Sequence, residues 1–194
     1  MKIELINKAE TLIQWIDKQI DGLQINSDDK TRVAAACLDM ALEHQKAIVL
    51  LIANKLYGSA FALARIIFEA YVRGVWLNKC ATDAEIEEYK NDKLNKSFAS
   101  LIQDIEACEG FDEGVLSAAK KANWIAMNSY THSGFLQTVR RNTEEAIEAN
   151  YTEEEITEVL NMANALGLLS ALHIAIMADD NVLANAILEK SKQI

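Results

Sequence analysis

The sequence predicts an all-α fold, a single irregular bundle of seven to nine helices. Proline is absent from all 194 residues, where ordinary usage of about 5% would supply roughly ten. Proline is the residue that interrupts helices, so its absence favours long ones. Glycine, the other common interrupter, occurs only seven times. Apolar residues then recur at helical spacing in one segment after another.

Residues 2–20 place Leu5, Ile6, Leu12, Ile13, Ile16 and Ile20 on one face, an amphipathic first helix. "DGLQINS" breaks it, and Ser27 is positioned to cap a second helix from near Asp28. That helix carries Leu38, Leu42, Val49, Ile52 and Leu56 on one side, and Gly58 suits its end. The third, "SAFALARIIFEAYVRGVWLNKC", is apolar almost all round, as a central buried helix is. Thr82 and Glu85 make a capping-box pattern that opens a fourth. A fifth follows "KNDKLNKS" and ends by Gly110, and a sixth covers about 113–130. One or two short helices are expected through residue 149. Thr152 and Glu155 repeat the capping box before a long apolar helix to about Ala178, and a short helix over about 181–191 finishes the chain.

The length fits one domain, residues 1–194, with a core large enough to need no disulfide or metal staple. A formal charge of −10 opposes loose binding of nucleic acid by the whole surface and leaves room for a local basic site. Cys37, Cys80 and Cys108 are odd in number and form no CxxC pair, so they read as small core residues of a reducing compartment. The amino terminus lacks a signal-peptide core, and the longest apolar run, residues 47–53, is far shorter than a membrane span. These features predict a cytoplasmic protein without a membrane partner. No metal-ligand spacing, phosphate loop or nucleophile motif is present, so no cofactor or metal is expected.

Three constellations carry possible chemistry. Arg65, Glu69 and Arg73 stand at steps of four on the third helix and share a stripe. Charges on a buried helix need partners, so the stripe is either an internal salt bridge or an arginine held toward an anionic ligand. The run "MNSYTHSG" sets Asn128 and His132 four apart, with Trp124, Tyr130 and Phe135 close by. Its histidine can serve as acid or base, or can bond a buried backbone group. Residues 114–143 hold Lys120, Lys121, Arg140 and Arg141 and no acid, a local charge of +4 in an acidic chain. Such a segment can bind phosphates, or dock on the acidic stretch at 144–158 or on a partner. His173, in "LLSALHIAIM", reads as a satisfied core residue.

"ALARIIFEAYVRGVWL" followed by "NSYTHSG" resembles a group of bacterial all-helical families in which an Arg-x-x-x-Glu helix precedes a Tyr-x-His motif. Those families are in turn similar to the HEPN superfamily, all-α proteins of toxin–antitoxin and phage-defence systems. The resemblance implies a homodimer and, in active members, a metal-independent ribonuclease. There a histidine assists attack of a ribose 2′-hydroxyl, and an arginine stabilises the phosphorane. His132 and Asn128 match the histidine and polar positions, but Met127 stands where the arginine belongs. A thioether cannot stabilise that charge. Arg65 or Arg73 is then expected to substitute, or the fold persists as a binding or regulatory protein. The candidate catalytic residues are His132 and Arg65, and Glu69, Arg73, Asn128 and Tyr130 are the candidate ligand contacts. RNA, a nucleotide or a protein is the expected partner. The alternative is a non-enzymatic helical interaction module in which these polar residues hold the bundle together.

Overall fold

The computed structural model describes residues 2–193, and these form nine α-helices. They are α1 (Lys2–Ile20), α2 (Asp29–Ala53), α3 (Tyr57–Lys79), α4 (Asp83–Lys90) and α5 (Phe98–Glu106). The remainder are α6 (Val115–Thr131), α7 (Phe135–Val139), α8 (Glu153–Met177) and α9 (Asn181–Ser191).

The antiparallel pair α2 and α3 is the centre of the bundle, and α8 lies across both. α3 is buried along most of its length, with Ile67, Val72, Val75, Trp76 and Leu77 fully enclosed. Its approach to α2 depends on Gly74, where an added Cβ would stand 2.8 Å from Leu38 Cγ and 3.1 Å from the Ala34 carbonyl. α8 reaches α2 through a second small residue. A Cβ on Gly167 would meet Gln45 Oε1 at 2.0 Å, and Gln45 Nε2 donates to Asn164 Oδ1 at 3.1 Å. α8 is also long and apolar enough to cross a membrane, with a mean hydropathy of 1.7 in its most apolar window. Its apolar surface is applied to α1, α2, α3 and α9.

Both capping boxes form, at Thr82 with Glu85 and at Thr152 with Glu155. Other boundaries differ from the sequence expectation for local reasons. Asp28, not Ser27, caps α2, because its carboxylate accepts both the Thr31 amide (2.9 Å) and the Thr31 hydroxyl (2.7 Å). The end of α2 is set by Asn54, whose side chain bonds the Leu50 carbonyl at 2.8 Å, and by Lys55 at φ 61°. Gly58 therefore belongs to the first turn of α3, and Leu56 lies outside α2. Between Gly134 and Thr152 only α7 forms. Thr143 Oγ1 accepts the Ala146 amide at 3.0 Å and the Asn150 amide donates to the Arg140 carbonyl at 2.9 Å, which folds residues 140–150 back without a helix.

Candidate functional site

α6 lies along the amino-terminal half of α3 and presents a stripe at steps of four: Lys120, Trp124, Asn128 and His132. The seam is pinned where the Thr131 hydroxyl bonds the Ala62 carbonyl at 3.1 Å. His132 is the C-cap of α6. The chain turns there, with Ser133 at φ 54° and the Gly134 amide donating to the Ser129 carbonyl at 2.7 Å. This turn leaves the imidazole exposed.

Arg65 faces that stripe. Its Nε donates to Glu69 Oε1 at 2.8 Å, and its Nη1 contacts His132 Nε2 at 2.5 Å. A guanidinium only donates, so in this contact Nε2 accepts and the ring carries its proton on Nδ1. The guanidinium carbon also sits 4.8 Å from the Trp124 ring centre, and Phe98 of α5 stacks on Trp124 at 4.8 Å with an 11° interplanar angle. Lys120 Nζ adds a second cation 5.4 Å from the same indole. Arg65 is thus held from three sides with 21% of its side chain exposed, and Glu69 is 29% exposed. The pair is half-buried, at an open surface rather than sealed in the core. Asn128 completes the stripe, and its Oδ1 is shielded from solvent without a hydrogen-bond partner among the described residues.

The model of DUF6988, a family of unknown function, matches residues 38–194. The chain belongs to the DUF6988 family. The match takes in every residue of the Arg65 cluster. Comparison with the curated proteins and with the solved structures finds no match.

Not every candidate of this DUF6988 chain joins the cluster. Arg73 lies two turns further along α3, 5.7 Å from the Tyr89 ring, and takes no part. Tyr130 faces the opposite flank of α6, edge-on to Phe61 at 5.0 Å and near Tyr151 and Arg140. That flank holds a separate cavity of about 560 Å³ between α3, α6 and α8, lined by Phe61, Met127, Tyr130, Val159 and Met162 with Glu155 and Glu158. Neither Arg65 nor His132 lines it. The candidate catalytic pair Arg65 and His132 and the candidate ligand contact Tyr130 therefore belong to two sites on either side of α6. Met127 is 6% exposed and points into the cavity, so an arginine at 127 would face Glu155 and Glu158 instead of His132. The basic segment divides in the same way: Arg140 is ion-paired with Glu155, while Lys120 serves the Arg65 side.

His173 is a core residue. It is 7% exposed, hydrogen-bonded with the Tyr71 hydroxyl at 3.3 Å and stacked on Phe111. Burial foremost, and Lys79 next, push its ring down to about 4. Among the described residues no group of three or more His, Cys, Asp or Glu side chains could hold a metal ion.

Phe98, which backs Trp124, was not visible as a site residue because it comes from a different helix. Extending the step of four backwards from His132 and Asn128 reaches Trp124 and Lys120, and that signal lies in the sequence itself.

Proposed function

We propose that this protein is a HEPN-like member of a bacterial defence or toxin–antitoxin type system that binds RNA at the Arg65–His132 face. In this reading Arg65 stands in for the arginine that Met127 replaces. The observation that carries it is the contact of Arg65 Nη1 with an exposed His132, made between residues 67 apart in the chain. A phosphate entering there meets a guanidinium held by Trp124, a second cation in Lys120 and an imidazole at the rim. His132 then takes the 2′-hydroxyl proton as that oxygen attacks phosphorus, and Arg65 stabilises the phosphorane charge. The P–O5′ bond breaks, the imidazolium returns its proton to the leaving 5′-oxygen, and a 2′,3′-cyclic phosphate remains. In the resting arrangement the Nε2 lone pair is occupied by Arg65 and the guanidinium by Glu69. The phosphate must displace both contacts, so cleavage is expected to be weak and binding to be the stronger activity.

Exposed Ile125 of α6 and Phe135, which opens α7, 82% and 79% accessible, support a homodimer through this part of the surface. Light scattering over a concentration series tests that part; a monomer at high micromolar concentration removes it. A second reading, a non-enzymatic interaction module, is favoured by the Arg65–Glu69 pair, which already neutralises the arginine.

Fluorescence anisotropy of labelled single-stranded RNA at low salt separates the two readings. RNA binding predicts at least about a tenfold loss with Arg65→Ala, equivalent to about 1.4 kcal/mol. It also predicts a gain with Glu69→Gln, which releases the guanidinium. Absence of binding at micromolar wild-type protein, or indifference to Arg65→Ala, would leave the interaction module standing.

A further inference from the structure

Cys80 is the C-cap of α3, its amide donating to the Trp76 carbonyl at 2.8 Å. Cys108 lies in the turn that follows α5 and its C-cap Ala107. They are 28 residues apart in the chain, yet their sulfurs stand 3.6 Å from each other. Both are partly accessible to solvent. Cys37, by contrast, is buried with its sulfur 3.2 Å from the Tyr89 hydroxyl.

A disulfide has an S–S length of about 2.05 Å, so the two sulfurs must close by about 1.5 Å. The Cys108 turn can supply that movement. Its amide bonds the Ile105 carbonyl at 2.9 Å, and beside the Cys80 sulfur its thiol makes a long contact, 3.5 Å, to the Asp104 carbonyl. The helices on either side are already fixed to each other. Trp76 Nε1 of α3 donates to Asp104 Oδ2 of α5 at 2.8 Å, and Lys96 joins Asp104 (2.6 Å) to Glu85 (2.9 Å). Closing the bond moves a turn, not a helix.

We propose that Cys80 and Cys108 are a modification site, a dithiol that closes reversibly to a disulfide by exchange with a small disulfide of the glutathione class. The Cys108 thiolate attacks one sulfur of oxidised glutathione; the S–S bond breaks and one glutathione leaves as thiolate, which takes up a proton. Cys80 then loses its proton to solvent and attacks the Cys108 sulfur of the mixed disulfide, expelling the second glutathione. Two protein thiols are oxidised and one glutathione disulfide is reduced to two thiols. Burial first, and then the neighbouring Cys108 thiol, push the Cys80 thiol up to about 12, which makes Cys80 the resolving partner. Once Cys108 is in the mixed disulfide, the contribution of its thiol to that shift is gone.

The closed ring spans α4 and α5 and so includes Phe98, the side chain that backs Trp124. The proposal does not depend on RNA binding. Its test is to equilibrate the full chain in glutathione buffers of increasing oxidised fraction, alkylate the remaining thiols and map unreduced tryptic peptides by mass. The expected product joins the Cys80 peptide to the Cys108 peptide and leaves Cys37 alkylated. The thermal midpoint rises by on the order of 5 °C and returns on reduction. Cys80→Ser is expected to hold glutathione on Cys108 and to show no such rise. Persistent glutathione adducts on the wild-type cysteines, a bond through Cys37, or linkage only between chains would each overturn the proposal. Wild-type mapping decides the matter alone if the variant does not fold.

Discussion

His132 and His173 are the same side chain in opposite settings. His132 ends α6 in the open and meets a guanidinium; His173 sits inside α8 and meets a phenol and a phenyl ring. Trp124 and Glu69 hold the arginine beside the first, whereas Tyr71 and Phe111 enclose the second. The difference teaches that burial, not the presence of a charged neighbour, decides which histidine the fold depends on.

The largest expected effect is at the buried site. His173→Ala removes a packed ring and leaves the Tyr71 hydroxyl without its partner, and it should cost about 3 kcal/mol in urea unfolding at neutral pH. A loss under about 1 kcal/mol would mean that α8 tolerates an opening there.

Acid should act through the same ring. Its folded value, about 4, lies below its ordinary 6.5, so the unfolded chain binds the proton more readily. The stability that His173 contributes is therefore complete above pH 6.5 and falls as pH drops through the window between 6.5 and 4. The loss should reach about 2 kcal/mol by pH 5. His173→Gln should flatten this part of the pH profile of unfolding, and an unchanged slope would assign the acid sensitivity to other groups.

The smallest effect belongs to the exposed member of the comparison. His132→Ala should change stability by less than about 0.5 kcal/mol, the scale of surface substitutions. The other role the sequence leaves open for His132, a bond to a buried backbone group, would make the loss about 1–3 kcal/mol. Glu69→Gln should cost about 1 kcal/mol, the scale of accessible ion pairs and not of sealed ones. A loss of about 3 kcal/mol or more in either variant would remove the contrast between the two histidines.

How much the sequence disclosed follows from how local each signal is. The absence of proline, the two capping boxes and the apolar periods gave the all-α fold and most helix limits, because each acts within a few residues. The Arg65–Glu69 pair was legible for the same reason, four residues being one helical turn. The ends that shifted, at Asp28 and at Asn54, depend on competition between neighbouring polar side chains for the same backbone groups. The meeting of Arg65 with His132, the separation of Tyr130 from both, and the approach of Cys80 to Cys108 required the order in which helices pack. No period within one helix carries that information. The cysteines show it most plainly: an odd count and the lack of a CxxC pair suggested three unrelated core residues, yet two of them meet across α3 and α5.

The contact of Gln45 with Gly167 has an evolutionary consequence. With the amide of Gln45 filling the space where a Cβ would stand, position 167 cannot gain a side chain while Gln45 keeps its place. A lineage that acquires alanine or serine at 167 must first shorten or redirect the side chain at 45, and Asn164, left without its donor, must then change as well. Among DUF6988 sequences a side chain at 167 should therefore occur only where 45 is shortened or redirected and 164 has changed, the latter two positions of α8 lying 122 and 119 residues from 45.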